Sequence, residues 1–208
     1  MPFLSAIIRL GHKYQIDHIV DEALTFLRQS YPKDFPSYLS RPLFREEHAV
    51  GAVNLARLVG AADVLPVALL DCCVLFGTAL IQGFVRPDGT HEALAAPELA
   101  ICAESKGRLV RENARRLLRV TKFKPSPNCE GYGCAEEEAF AKPLDEHDWQ
   151  AGLGARILAP WGLSVSNGEI CTTCLEAWEG QVMVYRQDVW NRLPDILGID
   201  TPDGWVKG

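Results

Sequence analysis

In successive segments of the first 76 residues, apolar side chains return at every third or fourth position, and this spacing constrains the fold more than any other feature of the chain. Such a period lays an apolar stripe along one side of an α-helix. Ile16, Ile19, Val20, Ala23, Leu24 and Leu27 form one such face, with Asp17 placed to cap it, and the preceding apolar segment carries Gly11 in its last turn. Two helices joined so tightly must pack antiparallel or at a steep angle. Tyr31-Pro32 and Phe35-Pro36 end the pair, because proline can neither continue a helix nor leave its predecessor in one. Residues 46–59 repeat the pattern with Ala49, Ala52, Val53, Ala56 and Val59, and Gly60 is a natural stop. Another helix begins near Asp63 with Pro66 in its first turn, where the missing N–H does no harm, and buries Leu65, Ala68, Leu69, Cys72, Cys73 and Phe76. Residues 83–90 read as a turn around Pro87-Asp88-Gly89, and Pro97-Glu98 opens a helix reaching to about Val120.

Beyond Lys122 the character changes. Residues 124–134 form a Pro/Gly-rich loop, followed by a short helix over 135–140, a segment around Trp149 capped by Asp145 or Asp148, and a loop over 160–168. A long helix then runs from Cys171 to Leu193, with Cys171, Cys174, Trp178, Val182, Tyr185 and Val189 as its seam and Pro194 as its stop. Ile196, Leu197, Ile199 and Trp205 make an apolar tail that folds back. The expected architecture is mainly α: an irregular multi-helix bundle with Pro/Gly-rich loops and a long C-terminal helix. Its expected divisions are residues 1–30, 31–120 and 121–208.

Two cysteine pairs are the most specific chemical signal, Cys129-x4-Cys134 in the loop and Cys171-x2-Cys174 at a helix start. Zinc takes four thiolate or imidazole ligands in a tetrahedron, and two short-range pairs from separate segments are a usual way to supply them. The helix start favours thiolate over thiol, and Gly131 and Gly133 let the loop bend around an ion. A structural zinc clip tethering loop to helix is one expectation. The competing one is plain packing, since cysteines three apart share a helix face and the x4 spacing is looser than the commonest zinc knuckle. A third is a zinc- or thiol-dependent enzyme using Cys171 and Cys174. Seven cysteines, an odd number with Cys72 and Cys73 adjacent, favour a reducing intracellular compartment over a disulfide framework.

Other chemistry is poorly represented. No nucleophile elbow, phosphate-binding glycine loop or paired-histidine zinc helix is present, and His12, His18, His48, His91 and His147 are scattered. The acidic groups 136–138 and 145–146 stand near helix starts, where they offset the dipole. The net charge of −6 argues against general nucleic-acid binding. The run from Arg108 to Arg119, broken by Glu112, reads as the solvated face of a helix. No segment is apolar for the ~20 residues a bilayer span needs, and neither a membrane nor a signal peptide is expected. Trp149, Trp178 and Trp190 are expected in the core, whereas Trp161 or Trp205 suits an exposed anchor for a protein partner.

Residues 7–17 (Ile7-Ile8-Arg9-Leu10-Gly11-His12-Lys13-Tyr14-Gln15-Ile16-Asp17), with Glu22-Ala23-Leu24 and Leu27 after them, resemble the closing helices of a BTB/POZ domain of the large fungal family. Asn54-Leu55-Ala56-Arg57, Leu65-Pro66-Val67-Ala68-Leu69, Cys72-Cys73, Asp88-Gly89-Thr90, Cys171-Thr172-Thr173-Cys174 and the ending Val189-Trp190-Asn191-Arg192-Leu193-Pro194-Asp195-Ile196-Leu197-Gly198 resemble the helical region that follows it. The resemblance implies a non-catalytic protein-interaction scaffold. It also implies that this chain begins where the BTB fold is ending, so that a BTB-type homodimer is not expected and Leu4, Ile7, Ile8 and Leu10 stand exposed.

Overall fold

The computed structural model describes residues 2–42, 47–86, 88–122, 124–129, 134, 154–159 and 170–207. Among these the fold is mainly α, as the spacing predicts, and the chain forms two compact units: residues 1–106 with 191–208, and residues 107–190.

In the first unit, α1 (Pro2–Lys13) and α2 (Asp17–Ser30) are joined by a three-residue turn. Gly11 permits their close approach, because a Cβ there would lie 2.8 Å from the Val20 Cγ2. Val20, Ala23, Leu24 and Leu27 are the buried face of α2, as their offsets require. Ile16, not Asp17, occupies the cap position; Asp17 is the first helical residue, where its charge still opposes the dipole. Ile8 is also buried, against the expectation of exposure, because α1 turns it inward. Leu10 does stand exposed, and Leu4 and Ile7 are half-buried.

A short α3 (Phe35–Ser40) is capped by Asp34, whose Oδ1 accepts from the Ser37 N–H at 2.8 Å. The centre of the unit is α4 (His48–Val59) with α5 (Leu65–Val74), which together bury fifteen residues. At about 1.5–3 kcal/mol for each large aliphatic side chain, this pair supplies much of the local driving force. Gly60 ends α4 in the left-handed conformation (φ 72°), and Pro66 sits in the first turn of α5. After α6 (Gly77–Gln82), a minimal hairpin pairs β1 (Phe84–Val85) with β2 (His91–Glu92), Phe84 opposite Glu92. This hairpin encloses the turn foreseen over residues 83–90. Gly83 is obligatory at its entry: φ is 68°, and a Cβ would lie 1.9 Å from the Glu92 carbonyl oxygen.

The hairpin is anchored by a buried carboxylate. Glu92 Oε1 accepts from Arg9 Nη2 at 2.7 Å and from Asn54 Nδ2 at 2.8 Å, and its Oε2 lies 3.5 Å from Arg86 Nε. Three segments distant in sequence meet on one side chain that is 5% exposed. The long α7 (Ala96–Thr121) follows and contributes residues to both units. The C-terminal tail returns to the first unit as expected: Ile196, Leu197 and Trp205 are buried, and the Val206 N–H donates to the Lys33 carbonyl. Trp205 is therefore a core residue and not an exposed anchor.

In the second unit α7 meets α8 (Thr172–Asn191), which buries Cys174, Trp178, Val182, Tyr185 and Val189 in the predicted seam. The Pro194 stop is instead the first turn of a separate α9 (Leu193–Leu197), a position that tolerates its missing N–H. Residues 154–159 are held by side chains from both long helices. Asn113 Nδ2 donates to the Gly154 carbonyl, Arg116 to those of Ile157 and Ala159, and Arg186 to that of Leu158. Arg116 corrects the reading of residues 108–119 as a wholly solvated face, since it is fully buried. Burial first, and then the like charge of Arg186, lower its pKa to about 9, which leaves it protonated at neutral pH. Arg111, Arg115 and Arg119 are exposed, as expected.

Removing a partner from a buried ionic contact costs far more than removing an exposed one. Glu92→Ala is expected to lower the unfolding free energy by about 3 kcal/mol in urea titrations. Arg28→Ala, which breaks the exposed pair with Asp63, is expected to cost no more than about 1 kcal/mol. Equal costs for the two variants would contradict the anchoring role of Glu92.

Candidate metal centre

All four cysteines singled out by spacing converge in the second unit. The sulfurs of Cys129, Cys134, Cys171 and Cys174 lie within 4.8 Å of one another, and those of Cys129 and Cys171 are 3.8 Å apart. Four sulfurs each about 2.3 Å from a central zinc in a tetrahedron would stand about 3.8 Å apart. A disulfide needs about 2.05 Å, and all seven cysteines are free thiols. The cluster has the dimensions of a metal cage.

Local chemistry explains how each sulfur is placed. Residues 126–129 form a turn in which the Cys129 N–H donates to the Ser126 carbonyl at 3.0 Å and the Asn128 N–H to the Ser126 hydroxyl at 3.3 Å. Cys171 immediately precedes α8, and its carbonyl accepts from the Leu175 N–H. Cys174 lies three residues further on, nearly one helical turn, so both thiols fall on the same side of the helix start. Thr172 and Thr173 between them are exposed. Backbone donors serve the two buried sulfurs: the Cys171 N–H reaches Cys134 Sγ at 3.1 Å and the Ser126 N–H reaches Cys174 Sγ at 3.3 Å. Donors of this kind orient metal-binding thiolates and offset their charge.

Apolar packing closes the inner side. Cys134 and Cys174 are buried with Leu117, Ile170, Trp178 and Val182, whereas Cys129 and Cys171 are half-buried. Burial, chiefly, raises the Cys134 thiol, and it pushes Cys174 up to about 12. A thiolate there is unfavourable unless a cation shares its charge. The four cysteines thus have the donor set, the spacing and the supporting backbone N–H groups to hold a metal ion.

The remaining sequence candidates do not join them. His12, His18 and His91 are exposed and His48 half-buried. Trp149, Trp161, His147, the acidic groups at 136–138 and 145–146, Asp148, the short helix over 135–140 and the loop over 160–168 lie outside the described residues. Cys72, Cys73 and Cys102 are fully buried in the first unit, where Cys73 donates to the Cys102 carbonyl at 3.7 Å. Hydrogen bonding to Cys102 and burial raise both Cys72 and Cys73, consistent with thiols that pack as small hydrophobes. Spacing alone missed the donors at Ser126 and Cys171 and the buried arginines on α7 and α8. Backbone donors leave no residue-type signature, and a buried arginine looks like its solvated neighbours in sequence. No family model, curated protein or solved structure matches the chain.

Titration supplies a direct check. For Cys174 the folded-state pKa lies above the ordinary value of 9.0, so between about 9 and about 12 the unfolded chain binds fewer protons than the folded one. The metal-free protein is expected to lose stability as pH rises through that window. Cation uptake at neutral pH must displace thiol protons, so affinity is expected to increase from about pH 6 to about pH 8. A pH-independent affinity over that range, read by competition with a chromogenic chelator, would contradict ligation by thiols.

Proposed function

We propose that this chain is a non-catalytic protein-interaction scaffold whose second unit is stapled by a structural zinc ion on Cys129, Cys134, Cys171 and Cys174. The convergence of the four sulfurs within 4.8 Å carries the reading. An all-thiolate set is characteristic of structural zinc, because four protein ligands leave no open position for a substrate or an activated water. Cys174 is fully buried, which disfavours a reactive role for the Cys171–Cys174 pair. Iron would also accept four thiolates, and metal analysis distinguishes the two.

The scaffold half of the proposal draws on surface and sequence. Phe3 is 84%, Leu10 54% and Tyr14 63% exposed, at steps of seven and four residues along α1 and its end. Large exposed apolar side chains in one region are a common mark of a protein-binding surface. The ordered motifs resembling the helical region of fungal BTB/POZ proteins support the same reading. Among the described residues, no helix is long and apolar enough to cross a membrane. Seven free thiols suit a reducing intracellular compartment.

Purified protein is expected to carry about one zinc per chain, and its removal by a strong chelator is expected to unfold the second unit. Cys174→Ala should lose the metal, whereas Cys72→Ala should keep it. Absence of zinc from protein purified without chelator and after reconstitution would overturn the clip. For the scaffold, capture from native lysate is expected to return a specific protein partner, and a Phe3→Ser, Leu10→Ser, Tyr14→Ser triple variant is expected to lose it at an unchanged unfolding midpoint. Full retention of the partner would contradict the surface assignment.

A further inference from the structure

The four sulfurs are not equivalent. Cys134 and Cys174 are buried against Leu117, Ile170, Trp178 and Val182, and each accepts a backbone N–H. Cys129 and Cys171 are half-buried and face each other at 3.8 Å. They come from separate segments, one from the 126–129 turn and the other from the entry to α8. Oxidation of thiols follows exposure, and a disulfide forms where a second thiol stands close enough to resolve the first oxidation product. The outer pair meets both conditions, while packing and N–H donation protect the inner pair.

We infer that the cluster is a redox-sensitive latch, in which a hydroperoxide joins Cys129 to Cys171 and thereby dismantles the metal site. This rests on the four-thiol metal site proposed above. One outer thiolate attacks a peroxide oxygen; the O–O bond breaks, giving a sulfenic acid and, after protonation, water or the corresponding alcohol. The second thiolate then attacks that sulfur; the S–S bond forms, the S–O bond breaks, and the departing hydroxide takes a proton to become water. Two sulfurs together lose two electrons, and the peroxide gains them. The sulfurs must approach from 3.8 Å to about 2.05 Å. Cys134 and Cys174 alone are two ligands where structural zinc requires four. The disulfide would still bridge residues 129 and 171, so the loop stays tied to the helix after the ion has gone.

The test uses the full chain reconstituted with zinc, its metal content measured first, then titrated with hydrogen peroxide. Zinc release is followed with a chromogenic chelator, and cysteine pairing by alkylation and peptide mass spectrometry. The expected result is one zinc released per peroxide consumed, with the 129–171 linkage dominating and reductant restoring zinc binding. Release accompanied mainly by linkages to Cys134 or Cys174, or zinc retained under a tenfold excess of peroxide, would overturn the latch while leaving the clip intact. A chain that takes up no zinc at reconstitution would overturn the clip, and the latch with it. Cys102→Ala, in the first unit, should leave both the release and the pairing unchanged; a change would place the oxidised thiols elsewhere.

Discussion

The second unit brings four sulfur atoms together across a wide gap in sequence. A segment rich in proline and glycine buries too little apolar surface to offset the entropy of ordering it. Residues 124–129 are nevertheless arranged so that the Ser126 N–H meets Cys174 and the Cys129 thiol meets Cys171. In the metal-free state burial keeps the Cys174 proton on its sulfur up to about 12, so a thiolate there is costly. A divalent cation reverses the sign of that cost. The low-dielectric surroundings that penalise an isolated thiolate strengthen its attraction to an ion, and the N–H donors share the remaining charge.

Elsewhere the fold uses buried charge in a different way. Glu92 gathers Arg9, Asn54 and Arg86 in the first unit, so its charge is neutralised by opposite charge. Arg116 and Arg186 in the second unit are directed at backbone carbonyls of residues 157–159. Those carbonyls belong to a turn segment with no helical partners for them, and orphaned carbonyls are expensive to bury. The long guanidinium forks therefore act as fasteners for an irregular segment, as a metal ion on the four cysteines would for the loop.

Much of this was legible in the sequence. The period of 3.6 located α2, α4, α5 and α8, although α5 ends at Val74 and leaves Phe76, expected on its buried side, exposed. Pro97-Glu98 marked the start of α7, and Gly60 and Pro66 marked ends that the structure respects. The cysteine spacing named the four residues that converge. What failed had physical causes. The family resemblance places Ile8 at the surface and a loop position does the same for Trp205, but burial is decided by tertiary packing that neither encodes. Arg116 lies one position after the exposed Arg115, and the single step between them, about 100° around the helix, moves the side chain from solvent to core. The hairpin at residues 84–85 and 91–92 is too short to produce an alternating pattern. Its most specific determinant, Glu92, acts through partners 38 and 83 residues away.

Four thiolates sharing one ion would give zinc an environment made of sulfur alone. X-ray absorption at the zinc edge of the purified protein reads that environment. The expected spectrum has four sulfur scatterers at about 2.3 Å and no nitrogen or oxygen neighbour. A shell containing nitrogen or oxygen in place of one or more sulfurs, or no stoichiometric zinc to measure, would contradict it.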